Sequence, residues 1–255
     1  MNEAVTIIGV GEVGGVFARG FLRSGHPVYP VTRSMDLAKL PTDWPHSAAV
    51  VVAVGEKDLA ATLKGLPASW RDRTVLVQNE LLPQDWQSHG LQNPTVISVW
   101  FEKKQPNDFK VIIPSPVYGP CAGLVADALA ALNIPTKICA DEDDLLAELI
   151  LKNLYILTTN VCGLKVGGNV GELWSLHQDL ARGVANEVLD IQFRLAGKEC
   201  PREPLIAAMQ KAFDGDPQHK CMGRSAPARL ERALAQAEQL GIAAETLQHI
   251  SLASK

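Results

Sequence analysis

Residues 5–14 read VTIIGVGEVG, an apolar run that passes without a break into the pattern GxGxxG. β-Branched residues occupy both odd and even positions of the run, which is typical of a strand buried on both of its faces. Residues 14–24 then have the periodicity of a helix, and Gly25 is a stop signal for it. A strand, a glycine-rich turn and a helix in this order predict the first unit of a βαβ fold.

The turn has glycines at the three positions where a dinucleotide-binding loop needs them, Gly9, Gly11 and Gly14. One glycine permits the tight turn, one lets backbone N–H groups approach a pyrophosphate, and one lets the helix pack close to the strand. The N–H groups at the helix start, which include those of Glu12 and Val13, then bind the anion with the help of the helix dipole. We therefore predict a dinucleotide site at this loop; a glycine-rich turn that serves packing alone is the alternative.

Strand-like and helix-like segments alternate through the first half of the chain. The predicted strands are residues 5–10, 28–32, 48–54, 74–78, 95–100, 110–113 and 136–139, and the predicted helices are 14–24, 57–66 and 122–132. This alternation is typical of a parallel sheet with helices on both faces. Residues 1–140 are therefore predicted to form a Rossmann-type, doubly wound α/β domain.

The second half of the chain has only helical periodicity. Its predicted helices are residues 143–161, 171–196, 204–213, 227–240 and 243–252. The first of them begins with acidic residues, which the positive end of the helix dipole favours. Residues 141–255 are therefore predicted to form an all-α domain, with the boundary near residue 140.

The composition excludes several classes of protein. Of the 255 residues, 47% are apolar and 20% are charged, which is too apolar for a disordered chain. The net charge of −4 and the lack of a strongly basic stretch argue against a nucleic-acid binder. No apolar run reaches the roughly 18 residues that span a bilayer, and the first residues do not have the pattern of a signal peptide. We expect a soluble protein without a nucleic-acid or membrane partner.

Cysteine and histidine usage gives no indication of a metal centre. The five cysteines are an odd number without a CxxC pair, which fits reduced thiols in a cytoplasm better than disulfides or a zinc site. The six histidines have neither HxH nor HxxxH spacing. We therefore predict a cytoplasmic protein that binds no metal.

The end of the second predicted strand indicates which dinucleotide binds. NAD-selective folds place an Asp or Glu there, which binds the ribose 2′-hydroxyl. Here the strand ends in Arg33 and Ser34, and the nearest carboxylate, Asp36, comes later in the loop. A guanidinium pairs bidentately with a 2′-phosphate, to which the serine hydroxyl can also donate. We predict NADP(H) as the cofactor, against the alternative that Arg33 is a solvated surface residue.

Two polar residues are candidates for the chemistry. Asn79 follows the fourth predicted strand, at the edge where open parallel sheets bind ligands; it either contacts substrate and nicotinamide ribose or is a turn residue. Lys152 lies in an apolar stretch that a core helix would fill with leucine. A buried ammonium is costly without a partner or a function, and beside a carbonyl it can donate a proton to the forming alkoxide. A lysine whose head group reaches solvent is the alternative.

Together these features resemble the ketopantoate reductases, the NADPH-dependent 2-dehydropantoate 2-reductases of pantothenate and coenzyme A synthesis. The resemblance covers most of the chain and is strongest over residues 5–33 and 148–174. It implies a reductase that converts a small 2-keto acid to the 2-hydroxy acid with NADP(H), as a monomer or homodimer. It also implies that the glycine loop and Arg33 hold the cofactor and that Lys152 is the catalytic lysine.

The resemblance further implies a set of substrate contacts, which are Asn79, Asn160, Cys221 and Glu231. The chain departs from the family at three such positions. Ile156 and Val170 replace asparagines, and Cys221 replaces a serine. An aliphatic side chain forms no hydrogen bond and a thiol is a weak donor, so we expect altered substrate recognition.

These departures leave two alternatives to a 2-keto acid reductase. The first is a non-catalytic NADPH-binding or sensor protein, because several substrate contacts would be lost together. The second is a reductase of the pyrroline-carboxylate or 3-hydroxyacid dehydrogenase type.

Overall fold

A computed structural model describes residues 2–44, 46–105 and 108–253 of the chain. The chain divides into two compact units, Met1–Leu146 and Ala147–Lys255. The division falls inside the long helix α6 (Glu142–Val166). The boundary that the sequence predicted near residue 140 lies just before this helix.

The first unit is built on a seven-stranded sheet in the order β2-β1-β3-β4-β5-β8-β9. Its strands are β1 (Ala4–Ile8), β2 (Val28–Val31), β3 (Ser47–Val52), β4 (Thr74–Leu76), β5 (Thr95–Ile97), β8 (Ser115–Tyr118) and β9 (Thr136–Ile138). All neighbouring strands are parallel except β5 and β8, which are antiparallel. The predicted Rossmann-type, doubly wound sheet followed by a helical half is therefore confirmed.

Two details of the predicted sheet are wrong. The predicted strand at residues 110–113 does not join the sheet; it overlaps β7 (Asp108–Val111), which pairs with β6 (Phe101–Gln105) in a separate antiparallel hairpin. The missed strand β8 reads SPVY, and its proline, which cannot donate to a ladder, hides the strand from a pattern search. The sheet is consequently mixed rather than purely parallel.

Helices of the first unit cover the sheet. They are α1 (Glu12–Arg23), α2 (Leu40–Asp43), α3 (Glu56–Lys64), α4 (Pro83–Gln87) and α5 (Ala122–Ala130), with a 3-10 helix at Ala68–Arg73. Val5 and Ile7 of β1 pack with Phe17 of α1 and Val125 of α5 in one buried cluster. Because side chains alternate along a strand, Thr6 of β1 points to the opposite face of the sheet, where it is also buried.

The second unit is all-helical. After α6 come α7 (Val170–Leu176), α8 (Gln178–Ala196), α9 (Arg202–Gly215), α10 (Ala226–Leu240) and α11 (Glu245–Ala253). The helix α8 contacts α7, α9, α10 and α11, so it is the centre of this unit. The prediction of a single helix at residues 171–196 is wrong, because His177 has non-helical backbone angles (φ −134°, ψ 36°) and separates α7 from α8.

The helix α6 is the longest helix of the described chain, with 25 residues. By length and composition it could cross a membrane, with a mean hydropathy of 1.3 over its most apolar window. However, 83% of that window is buried inside the protein, as expected for the core helix of a globular fold.

Candidate functional site

The glycine loop lies tightly against the carboxyl ends of β2 and β3. The Gly9 N–H donates to the Val31 carbonyl, and the Ala53 N–H donates to the Ile8 carbonyl. Gly9 has φ +91°, and a Cβ atom there would lie 2.9 Å from the Ala53 carbonyl oxygen. A Cβ atom on Gly14 would overlap the Gly9 carbonyl. Both glycines are therefore required by the protein's own packing.

Gly11 differs from the other two glycines. It is the N-cap of α1, its φ of −74° suits any residue, and a Cβ atom there would meet no protein atom within 4 Å. The side chains of Val10 and Val13 flank it and are exposed. N–H groups in the first turn of a helix have no intrahelical acceptor. The start of α1 can therefore bind an anion, and the open space beside Gly11 leaves room for one. This space fits the pyrophosphate of a dinucleotide.

A cavity of about 650 Å³ opens at the carboxyl ends of β1, β2 and β3. Its lining includes the glycine loop, the segment after β2 and the first turns of α3, namely Gly9, Gly11, Thr32, Arg33, Met35, Leu37, Gly55, Asp58, Ala61 and Thr62. The strand order reverses on the two sides of β1, and ligands of doubly wound sheets bind at such a switch point. Its volume is typical of a small-molecule site.

Arg33 and Ser34 lie beyond the end of β2. The Arg33 side chain is 91% exposed, and its Nη2 atom is 3.3 Å from Oδ2 of Asp58. The Ser34 and Thr32 hydroxyls are 3.1 Å apart. The cavity therefore has one guanidinium at its border, and a carboxylate of α3 pairs with it.

Asn79 follows β4, and its neighbour Gln78 fixes the backbone there. The Gln78 amide is buried and donates to the Val52 carbonyl at 2.7 Å and to the Val54 carbonyl at 3.2 Å, which ties the end of β4 to that of β3. Asn79 is half-buried, and its side chain forms no hydrogen bond within the described ranges. Asn79 does not line the 650 Å³ cavity.

In the second unit, α6 carries a series of buried polar residues, which are Lys152, Asn153, Thr158, Thr159 and Asn160. Lys152 is 9% exposed, and its Nζ atom is 5.8 Å from the centre of the Tyr155 ring. The face of an aromatic ring stabilises a cation. Lys152 is therefore largely buried, and its ammonium lies near an aromatic ring.

Asn160 is held by two neighbours. Its amide Nδ2 donates to the Ile156 carbonyl at 2.9 Å, and its Oδ1 accepts from Nη1 of Arg229 at 3.1 Å. Arg229 was not among the residues that the sequence singled out. Glu231, which was, is exposed on α10, and no described contact joins it to Asn160 or Lys152.

At three positions the chain differs from the family that it resembles, and the side chains there are all buried: Ile156, Val170 and Cys221. Burial and, to a smaller extent, the charge of Glu172 raise the pKa of the Cys221 thiol to about 11. The thiol is therefore protonated at neutral pH. Asn169 forms a capping box with Glu172 at the start of α7, so its amide oxygen serves the helix end.

Removal of the Arg229 guanidinium is expected to destabilise the second unit. Arg229→Met leaves the buried Asn160 oxygen without this charged donor, which costs about 1–2 kcal/mol of unfolding free energy for a half-buried arginine. Glu231→Gln, on the exposed surface of the same helix, is expected to change it by less than about 0.5 kcal/mol. Urea unfolding of both variants measures the difference. Equal values would show that the contact between Arg229 and Asn160 adds no stability.

Comparison with solved structures identifies the fold of this chain. No protein-family model matches the sequence, and a comparison with curated proteins finds no similar sequence. Among solved structures, a ketopantoate reductase from Ralstonia eutropha aligns over 99% of this chain and 97% of its own, with a TM-score of 0.65 at 16% identity. A dimeric ketopantoate reductase from Staphylococcus aureus aligns over 98% and 97%, with a TM-score of 0.66 at 15% identity. The chain shares the ketopantoate reductase fold.

The same fold occurs in a D-mandelate dehydrogenase. Its complex with NADH and anilino(oxo)acetate aligns over 98% of this chain and 96% of its own, with a TM-score of 0.67 at 12% identity. Two kinds of enzyme with the ketopantoate reductase fold thus resemble the chain to a similar degree. The fold does not distinguish between their substrates.

The structure brings together only part of the predicted site. Gly9, Gly11 and Arg33 line one cavity, and Lys152 and Asn160 are both buried on α6. Two residues at these places were missed, Asp58 and Arg229. The sequence does contain a signal that Arg229 lies near the core. Along α10, buried residues recur every three or four positions, at Ala226, Leu230, Ala233 and Ala237, and Arg229 lies beside this apolar stripe.

Proposed function

We propose that the chain is a nicotinamide-dinucleotide-dependent reductase of small 2-keto acids, such as ketopantoate, with NADPH as a cofactor. The observation that carries the proposal is the open space at Gly11, beside the start of α1 and at the switch point of the sheet. Neither folding nor packing requires a glycine there, whereas the close approach of a pyrophosphate does. The shared fold with NADH-bound D-mandelate dehydrogenase supports the same reading.

The cofactor would be held by residues of the first unit. The backbone N–H groups of Glu12, Val13 and Gly14 would bind the pyrophosphate, and Gly9 and Gly11 would keep the space beside them open. Arg33 and Ser34 would bind a 2′-phosphate at the border of the cavity. Asn79 would orient the nicotinamide ribose or the substrate.

Lys152 would provide the proton for the reduction. When bound, the reduced nicotinamide supplies a hydride to the keto carbon. Lys152 would polarise the keto oxygen and give it the proton from Nζ, so that the 2-hydroxy acid forms as a neutral alcohol. Tyr155 stabilises the charged ammonium before this step because its ring faces Nζ.

Substrate binding would depend on the polar groups that α6 and α10 present. Arg229 has a guanidinium, the group that best pairs with a carboxylate, and it already contacts Asn160. Cys221 and Ile156 offer little hydrogen bonding, so an aliphatic or aromatic keto acid fits better than a strongly polar one.

The experiment is a screen for oxidation of NADPH and NADH, followed by the absorbance of the reduced nicotinamide. The panel contains ketopantoate, branched aliphatic and aromatic 2-keto acids, and cyclic imines; 3-hydroxy acids are tested with the oxidised cofactors. Turnover of a 2-keto acid supports the proposal. Turnover of a cyclic imine or a 3-hydroxy acid alone favours a reductase of the pyrroline-carboxylate or 3-hydroxyacid dehydrogenase type.

A non-catalytic NADPH-binding or sensor protein is the second candidate. It is favoured by Asn160, whose amide already bonds to the Ile156 carbonyl and to Arg229, and by the burial of apolar Val170. Tight binding of NADPH without turnover of any compound in the panel would support it.

Arg33→Ala tests the cofactor assignment. Loss of the guanidinium removes charge-assisted hydrogen bonds to a 2′-phosphate, so the Kd for NADPH is expected to rise about tenfold, a modest value because Arg33 is almost fully exposed. The Kd for NADH should change by less than about threefold. Lys64→Ala, in the last turn of α3, is the matched control. An equal loss for both cofactors would contradict the 2′-phosphate role.

A further inference from the structure

The cavity in the first unit has an acidic residue that the cofactor assignment does not yet use. Among the cavity-lining residues within the described ranges, Arg33 and Asp58 are the only charged ones. Asp58 lies in the first turn of α3, where its N–H donates to the Gly55 carbonyl and its own carbonyl accepts from the Thr62 hydroxyl. Its carboxylate therefore projects from a hydrogen-bonded helix start.

The carboxylate and the guanidinium are paired across the border of the cavity. Oδ2 of Asp58 is 3.3 Å from Nη2 of Arg33, and the Asp58 side chain is 40% exposed. A guanidinium has five donors, so this contact leaves other donors of Arg33 available. Any phosphate that binds those donors lies within a few ångströms of the carboxylate, and like charges at that distance repel.

We propose that Asp58 is a specificity-determining residue for the cofactor, which lowers the preference for NADPH over NADH. This inference rests on the proposed function. The Asp58 carboxylate accepts a hydrogen bond from the ribose 2′-hydroxyl of NADH, the role that a carboxylate at the end of the second strand has in NAD-selective folds. It repels the 2′-phosphate of NADPH and competes with it for Arg33. The chain therefore uses both cofactors.

The arrangement also explains why neither group alone sets the preference. Arg33 attracts a 2′-phosphate, and Asp58 opposes it from the other side of the cavity border. Arg33 is far more exposed than Asp58, so water and salt screen its attraction more strongly. The ratio of the affinities for NADPH and NADH is consequently sensitive to the charge on Asp58.

Asp58→Asn tests the inference, because it keeps the shape and a hydrogen-bond acceptor and removes the charge. Binding of NADPH and of NADH to the full-length protein is measured by fluorescence of the reduced nicotinamide, without substrate. We expect the ratio of the two affinities to shift at least about tenfold toward NADPH, which corresponds to about 1.4 kcal/mol. Asp58→Ser, which is smaller and also uncharged, should shift the ratio in the same direction.

Glu56→Gln is the matched control, because Glu56 lies in the same first turn of α3, is exposed and does not line the cavity. It should leave the ratio within about twofold of the unsubstituted protein, since exposed charges away from a site are screened. Circular dichroism confirms that each variant is folded.

The outcomes separate this inference from the proposed function. If both cofactors bind but neither Asp58 variant changes the ratio, or if the ratio moves toward NADH, the role of Asp58 is refuted and the proposed function stands. An equal shift in Glu56→Gln would reduce the effect to general electrostatics and also refute it. If the unsubstituted protein binds neither cofactor, both fail.

Discussion

Replacement of Lys152 by alanine is expected to lower kcat at least about a hundredfold, the usual contribution of a general acid. The reason is that the proton for the keto oxygen would then have to come from water. Lys152 is almost completely buried, with its Nζ atom facing the Tyr155 ring, so a water molecule does not reproduce its position. Steady-state kinetics with the best substrate of the screen, together with Kd values for NADPH, measure the effect.

Two further variants separate chemistry from packing. Lys152→Met keeps the unbranched chain and removes only the amine, so it should lose as much activity as Lys152→Ala while it retains more stability. Lys165→Ala removes an exposed lysine from the last turn of the same helix and should leave kcat unchanged. A loss below twofold in both Lys152 variants, with cofactor binding intact, would remove Lys152 from the mechanism.

The first βαβ elements of the fold could be predicted because their signals are local. The apolar run of β1, the glycine pattern and the start of α1 are contiguous in sequence, and each element agrees with the next. The strand β8 could not be predicted in this way. It has only four residues, one of which is Pro116, and its antiparallel pairing with β5 depends on contacts distant in sequence.

The candidate site was predictable to the extent that one residue type implies one chemistry. A lysine in an apolar helix and an arginine at a strand end are such cases. Lys152 is buried, whereas Arg33 is 91% exposed, which the alternative of a solvated surface arginine also predicts; the roles of both residues stay predictions. Asp58 was not predictable, because an acidic residue in the first turn of a helix is common for reasons of the helix dipole alone. Its 3.3 Å contact with Arg33 is what indicates a further role for Asp58, and this contact is known only from the structure.

Gly11→Asp should have opposite effects on stability and on binding. Aspartate is a favourable N-cap, so the variant is expected to be as stable as the unsubstituted protein or more stable by up to about 1 kcal/mol. Apart from the two neighbouring residues, no protein atom lies within 4 Å of the added Cβ, and the φ of −74° is one that any residue adopts. The new carboxylate would occupy the anion site, so binding of both NADPH and NADH should weaken at least about a hundredfold, or about 2.7 kcal/mol. Thermal unfolding and cofactor titration measure the two effects.

Gly14→Ala provides the contrast that makes this prediction decisive. Its Cβ would overlap the Gly9 carbonyl and approach the Ala53 side chain, so it should lower the free energy of unfolding by about 1–3 kcal/mol, the usual cost of overpacking. If Gly11→Asp also destabilises the protein, packing rather than ligand approach explains the glycine. If it is stable and still binds both cofactors with unchanged affinity, no pyrophosphate lies at the start of α1. Loss of binding without loss of stability is the result that only a ligand at Gly11 would produce.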